Sequence, residues 1–352
     1  MTELLSYLKE LISAPGISGY EAGICPIIEK SWQPLTDQLK VSHLGSLHGL
    51  QRGTSPEPRP SILIATHMDA IGLMVNAIVD GFLRVISIGG LDARVLPGQM
   101  VTVHGRQELP GMIVATPARL LPSQIQTGVV PLEYLLVDVG LLPQEVGKLV
   151  RVGDPISFAQ TPLETGGETL VGHTLDNRAG VAALTYCLEI LRSRPHDWDV
   201  WAVATAQEET SYGGAQTSAF QLHPSLCVSI DVTFGSEPSS PNHLTFPLGK
   251  GPTLGLGPIV HPFLYKTLKE LAERLEIPVS VEPTPRNSAT DSDVMISTAE
   301  GIPNAVIGIP LRYMHTPVEM VALKDISRTG RLVAEFIAQL DDTFIDKITW
   351  DD

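Results

Sequence analysis

No stretch of this chain approaches the roughly 18 consecutive apolar residues that a membrane-spanning helix needs, so none is expected. Positive charge is also in short supply. The 24 Lys and Arg against 39 Asp and Glu leave a formal net charge of −15. A surface that acidic repels phosphate backbones, which sets nucleic acid aside as a partner. Cysteine is scarce as well. Cys25, Cys187 and Cys227 are odd in number, scattered and out of metal-ligand spacing. They read as reduced core thiols of a cytoplasmic protein. The opening "MTELLSYLKELIS" has the pattern of an amphipathic helix. It lacks the basic leader, long apolar run and small-residue cleavage site of a signal peptide. Internal repeats and low-complexity segments are missing too. What is present is 352 residues, 43% hydrophobic and 18% charged, which suits a soluble globular protein of two domains.

Residues 3–13 and 21–32 read as helices, and "SILIATH" (Ser61 to His67) as a buried strand behind the polar loop "RGTSPEPRP". From Gly72 the texture changes. Up to Ala159, helical periodicity nearly vanishes, and short runs such as "FLRVISI", "QMVTVHG", "GMIVATP" and "YLLVDVG" are punctuated by Gly and Pro. This predicts a small β domain, sandwich or barrel, interrupted only by the helical "LPQEVGKLV". From about Thr161 strands alternate with helices again. "NRAGVAALTYCLEILRSR" carries a helical apolar stripe at 181, 184, 188 and 191. The expected fold is therefore α/β with a mostly parallel sheet, residues 1–71 and 161–352, split by an inserted β domain at 72–160.

In open α/β sheets ligands bind beyond the carboxyl ends of the strands. Those ends carry the titratable groups here. His67 and Asp69 follow "SILIAT", Glu208 and Glu209 follow "VWAVATAQ", and Asp231 follows "LCVSI". His315 follows "NAVIGIPLRYM", and Asp176 precedes the long helix. Each alone has an ordinary reading: a loop histidine, a solvated acid pair, a helix N-cap at "LDNR". Together at one sheet edge, so many acids need a positive partner, and a divalent metal supplies it. Asp69, two residues from His67, is placed to accept the imidazole N–H turned away from the metal. Glu208 and Glu209 are expected to diverge where the strand enters a loop, Glu209 as a ligand and Glu208 as the general base. Tyr212, Gly213 and Gly214 read as that loop.

These residues resemble the glutamyl aminopeptidase and cellulase-like family of dinuclear metallopeptidases, whose best-known members are the tetrahedral aminopeptidases. The matching stretches include "ATHMDAIGLMV", "GGLDARVLPGQMVTVHG", "VRVGDPISF", "LDNRAGVAAL", "AQEETSYGGAQTSAF", "SIDVT" and "ATDSDVMISTAEGIPNAVIGIPLRYMHTPVEMV". They cover nearly the whole chain from about residue 60. The resemblance implies a zinc-peptidase-like α/β/α sandwich with an inserted β dimerisation domain. It implies two divalent metal ions, zinc first and cobalt or manganese next, bridged by Asp176. His67 and Asp231 complete the first site, and Glu209 and His315 the second. Glu208 is the base, and Asp69 orients His67. Short peptides are the implied substrate, and dimers built into dodecamers the implied assembly. One departure is Ala70, where the family usually has Glu. A hydrogen bond at the domain junction is expected to be missing there. The loop "TSYGG" also differs from the family's pattern, and Thr290, Asp291, Ile309 and Arg312 lie in family-like stretches near the site.

Three rival readings stand beside an aminopeptidase. A glycosidase of the endoglucanase type needs two carboxylates and no metal, which leaves both histidines unexplained. A metal-dependent deacylase or carboxypeptidase on a related fold fits the ligands but not the β texture of the insertion. A scaffold with purely structural metals has no use for a free Glu208. The preferred N-terminal residue, whether glutamyl, leucyl or lysyl, is not readable from the sequence.

Overall fold

The computed structural model describes residues 2–349. At the centre of its larger sheet four strands run parallel, in the order Asp199–Thr205, Ser61–His67, Leu226–Phe234 and Asn304–Arg312. They are the near-continuous apolar runs of the sequence. Strands covered on both faces need such runs, because every side chain meets a core. Antiparallel strands close the margins. The hairpin Gln38–Val41 and Leu47–Gln51 joins Asp199–Thr205 on one side. Glu319–Ala322, Thr169–Gly172 and Leu163–Thr165 extend the other.

Alternation along the strands splits the packing into two faces. Ile62 and Ile64 join the main core with Leu8, Val181 and Phe336 of the helices Thr2–Ser13, Leu175–Leu191 and Leu323–Ile337. Leu63 and Ala65 face a smaller core with Ala215 and Ala219 of Gly213–Leu222 and with Met295 of Ser292–Met295. The helix Leu175–Leu191 is buried at every residue from Leu175 to Thr185. It is apolar nearly all round, as a helix enclosed between sheet and helices must be.

The insertion is a closed barrel. Gly72–Val79, Phe82–Ile88, Leu135–Asp138, Glu108–Ala115, Met100–His104 and Pro155–Phe158 follow one another around it, all antiparallel. Inward residues such as Leu83, Val85, Val103 and Ile113 fill its core, and Val146 of the helix Pro143–Leu149 packs against them. Closure leaves no exposed sheet edge, which accounts for the regular short runs of the sequence. Among the described residues, no helix is long and apolar enough to cross a membrane.

Candidate metal centre

Strand register brings the acids and imidazoles to one level. Thr205 pairs with His67, Ser229 with Ala65, and Asp231 with Gly308. Two residues beyond the Ser229–Ala65 pair, Asp231 is level with His67, and both project from the same face. Glu208 and Glu209 follow Thr205 after a left-handed turn at Gln207. His315 follows Arg312 in the same way. Asp176 comes from the helix side, at the head of Leu175–Leu191, where the backbone of Asp176 and Asn177 departs from helical angles.

All seven sequence-predicted residues meet. His67 Nε2 lies 3.1 Å from Asp176 Oδ1, 3.5 Å from Asp231 Oδ1 and 3.7 Å from Glu208 Oε2. His315 Nε2 lies 3.3 Å from Asp176 Oδ2 and 3.4 Å from Glu209 Oε2. Asp176 thus turns one carboxylate oxygen to each imidazole. The donor atoms of His67, Glu208 and Asp231, and those of His67, Asp176 and Glu209, lie within 4.8 Å of one another.

Three side chains hold this arrangement through backbone groups. Asp69 departs from its expected contact. Its carboxylate Oδ1 is 3.7 Å from His67 Nδ1, whereas its backbone carbonyl is 3.1 Å away and accepts the imidazole N–H. The carboxylate instead accepts from the N–H groups of Glu208 and Glu209, at 3.0 and 3.2 Å. These two glutamates open a one-turn helix, Glu208–Ser211, so the strand ends earlier than expected, at Thr205. Asn177 pins the Asp176 segment to the sheet, donating from Nδ2 to Thr66 Oγ1 and to the Ile230 carbonyl. The helix cap that is the ordinary reading of "LDNR" is made by Asn177 and not by Asp176: its Oδ1 accepts from Gly180 N at 3.0 Å. Glu319 has no assigned role in the sequence. Its buried carboxylate accepts from Asp176 N at 3.1 Å and His315 N at 3.0 Å, tying two separate segments together.

The electrostatics test whether a cation fits. Burial, reinforced by neighbouring acids, pushes Glu208 up to about 11 and Glu209 up to about 8. Burial raises Asp231 and Glu319 for the same reason. Burial opposes charge on His67 and His315 too, but the carboxylates outweigh it; His67 stands well above its ordinary value and His315 at about 9. Burial works upward on Asp176 as well, and the two imidazoles overcome it and hold its carboxyl below the usual range. Left to itself, the cluster gathers protons that divalent charge displaces. Glu209 Oε1 is buried with no hydrogen-bond partner, which is costly unless a cation meets it. Imidazole nitrogens mixed with carboxylates are a donor set that Zn, Co and Mn all accept. The residues fit a metal.

A cavity of about 330 Å³ opens beside the cluster, lined also by Tyr212, Phe234, Glu282 and Met314. A larger one, about 900 Å³, lies where the N-terminal segment meets the barrel, lined by Ile17, Tyr20, His104 and Asp154. Volume alone would choose the wrong one; both metal-competent groupings border the smaller. Thr290, Asp291, Ile309 and Arg312 do not line the smaller cavity. Asp291 accepts from Thr205 Oγ1, and Arg312 donates to the Ser236 carbonyl. At the domain junction, the buried Ala70 accepts from Ser18 N through its carbonyl at 3.0 Å. The neighbouring carboxylate is that of Glu21, which accepts from Gly19 N and Gln207 N.

The family model of the M42 glutamyl aminopeptidases matches residues 45–332. The chain belongs to that family. It is 33% identical to a lysyl aminopeptidase of Pyrococcus furiosus over 339 residues, 95% of this chain and 96% of that one. Its fold is similar to that of a TET aminopeptidase from a marine sediment Thaumarchaeota archaeon, with a TM-score of 0.93, 29% identity, and 99% and 100% of the two chains covered. It is also similar to a TET peptidase of Pyrococcus horikoshii that assembles into a tetrahedron or a large octahedral shell. There the TM-score is 0.84 and the identity 28%, over 96% and 100% of the chains. M42 members are metallopeptidases, hydrolases that act on peptide bonds as aminopeptidases. That membership agrees with the His, Asp and Glu cluster described above.

Proposed function

We propose that this M42 aminopeptidase holds two divalent cations, zinc first and cobalt or manganese next, on either side of Asp176. The observation that carries the reading is the split of that carboxylate, Oδ1 to His67 at 3.1 Å and Oδ2 to His315 at 3.3 Å. His67 and Asp231 serve one ion, and Glu209 and His315 the other. Ions bound there supply Lewis-acid polarisation of a peptide carbonyl and lower the pKa of water. The remaining chemistry belongs to the chain. His67 gives its Nδ1–H to the Asp69 carbonyl, which leaves the Nε2 lone pair free to ligate. The Asp69 carboxylate fixes the segment that carries both glutamates. Glu208, buried at the edge of the cavity, takes the proton of the attacking water and returns it to the leaving amine of a short peptide.

Glu208→Gln tests the base. The variant is expected to keep its metal content by elemental analysis and to lose about 10²- to 10⁴-fold in kcat. Wild-type turnover in that variant would remove Glu208 from the chemistry.

For the molecule as a whole we propose that residues 72–160 form a dimerisation domain, and that dimers build a larger closed assembly of the dodecamer type. Support comes from the apolar side chains the barrel turns outward, Phe82, Ile86, Met100 and Met112. Cys25, Cys187 and Cys227, all free and buried, support a reducing, cytoplasmic setting.

A further inference from the structure

Three of the side chains that line the cavity beside the cluster carry hydroxyls: Tyr212, Thr233 and Ser288. Two of these are committed. Thr233 donates to Glu282 Oε1 at 2.6 Å, and Ser288 to Asp293 Oδ1 at 2.8 Å. The hydroxyl of Tyr212 meets no acceptor among the described residues. Neither Lys nor Arg lines the cavity, and the Nδ1–H of His67 goes to the Asp69 carbonyl. The cavity is rich in carboxylate acceptors and poor in free donors.

Tyr212 stands where two helices meet. Its N–H donates to the Gln207 carbonyl at 3.0 Å, closing the one-turn helix Glu208–Ser211. Its carbonyl accepts from Gln216 N at 3.1 Å, in the first turn of Gly213–Leu222. At φ 54° and ψ 14° its backbone is left-handed, a conformation costly for an aromatic residue. Strain of this kind persists where the surroundings over-determine it, and it gathers at functional sites. Burial, reinforced by the charges of Glu208, Asp293, Asp231 and Asp291, pushes the phenol up to about 12, so it keeps its proton. Glu208 and Asp231 line the same cavity, and Asp291 and Asp293 follow closely on Ser288 and Ala289, which line it too. The phenol belongs to "TSYGG", the loop in which this chain departs from the pattern it otherwise resembles.

We infer that the Tyr212 hydroxyl donates to the oxygen of the scissile peptide carbonyl as that oxygen becomes an oxyanion. This deepens the aminopeptidase reading and rests on it. When the water that Glu208 deprotonates bonds to the carbonyl carbon, the π pair of the C=O bond moves onto oxygen. When the amine leaves with the proton that Glu208 returns, the pair moves back and the C=O bond re-forms. Tyr212 keeps its own proton through both steps. A peptide offers the site a donor, its terminal amine, and an acceptor, its carbonyl. Ionised carboxylates can only accept, so they suit the amine, and the phenol suits the carbonyl. Its hydrogen bond strengthens as charge develops, so it favours the transition state over the bound substrate.

Tyr212→Phe removes the hydroxyl and keeps the ring. The test uses zinc-loaded protein and the best cleaved of leucyl, lysyl and glutamyl chromogenic amides. In the variant kcat is expected to fall at least tenfold, with KM within about twofold of the wild type and zinc content unchanged by elemental analysis. A phosphinic peptide, whose tetrahedral P–O⁻ stands in for the oxyanion, is expected to bind the variant more weakly by the same factor in calorimetry. A variant that keeps wild-type kcat, binds the phosphinic peptide undiminished, or loses activity in step with lost zinc would overturn the assignment and leave the aminopeptidase reading intact. A zinc-loaded wild type that cleaves none of the three amides would overturn both.

Discussion

At the scale of single residues, buried titratable groups do their work by being denied water. His48 shows this away from the candidate metal centre. Its Nε2 lies 2.8 Å from Ser218 Oγ, clasping the strand Leu47–Gln51 to the helix Gly213–Leu222. Burial, with help from Lys40, pulls its pKa from 6.5 down to about 4. The unfolded chain therefore takes up the proton first, and stability falls as pH drops from 6.5 through 4. His48→Gln is expected to remove on the order of 3 kcal/mol of that acid sensitivity. Urea denaturation at neutral and acid pH reads the difference in slope, and equal slopes in both proteins would refute it. Which residues cluster at the centre was legible, because strand ends can be found from apolar runs and the ligand types stand out there. The contacts through backbone groups were not. Glu319 clasps two N–H groups and Asp69 two more, and a carboxylate that binds main chain leaves no side-chain partner for a pattern to reveal.

At the scale of elements, the segment after the strand Asp199–Thr205 decides the geometry. The sequence "SYGG" reads as a loop because Gly disfavours helices, yet Gly213 and Gly214 open the helix Gly213–Leu222. A Cβ at Gly214 would lie 2.2 Å from the Ala206 carbonyl, so the residue is glycine for close packing and not for a turn. Margin strands such as Glu319–Ala322 escaped the sequence reading because four residues carry too little periodicity. Arg178 links elements in a different way. Fully buried at the head of Leu175–Leu191, its guanidinium donates to the carbonyls of Leu11, Ala14 and Met68. It thereby ties the first helix and the end of the strand Ser61–His67 to the segment bearing Asp176. Burial lowers its pKa to about 9, against the pull of Asp69 and Glu319. Arg178→Leu leaves these carbonyls unpaired and is expected to cost about 3 kcal/mol or more. A thermal midpoint equal to that of the wild type would show that the network is dispensable.

At the scale of the whole molecule, a small β domain interrupting an α/β pattern was readable from texture alone, since Gly and Pro punctuation differs sharply on the two sides of Gly72. Its closure was not, because a sandwich and a barrel share the same alternation and differ only in which strands pair last. The barrel's outward apolar residues put the assembly within reach of experiment. Phe82→Glu combined with Met100→Glu is expected to shift the mass by light scattering toward a monomer, and an unchanged mass would move the interface elsewhere. The central claim, a pair of cations shared by Asp176, is met most directly by anomalous diffraction at the zinc edge from zinc-loaded crystals. The expected result is two peaks flanking the Asp176 carboxylate, one beside His67 and Asp231 and the other beside Glu209 and His315. A map with no peak among these side chains would contradict it.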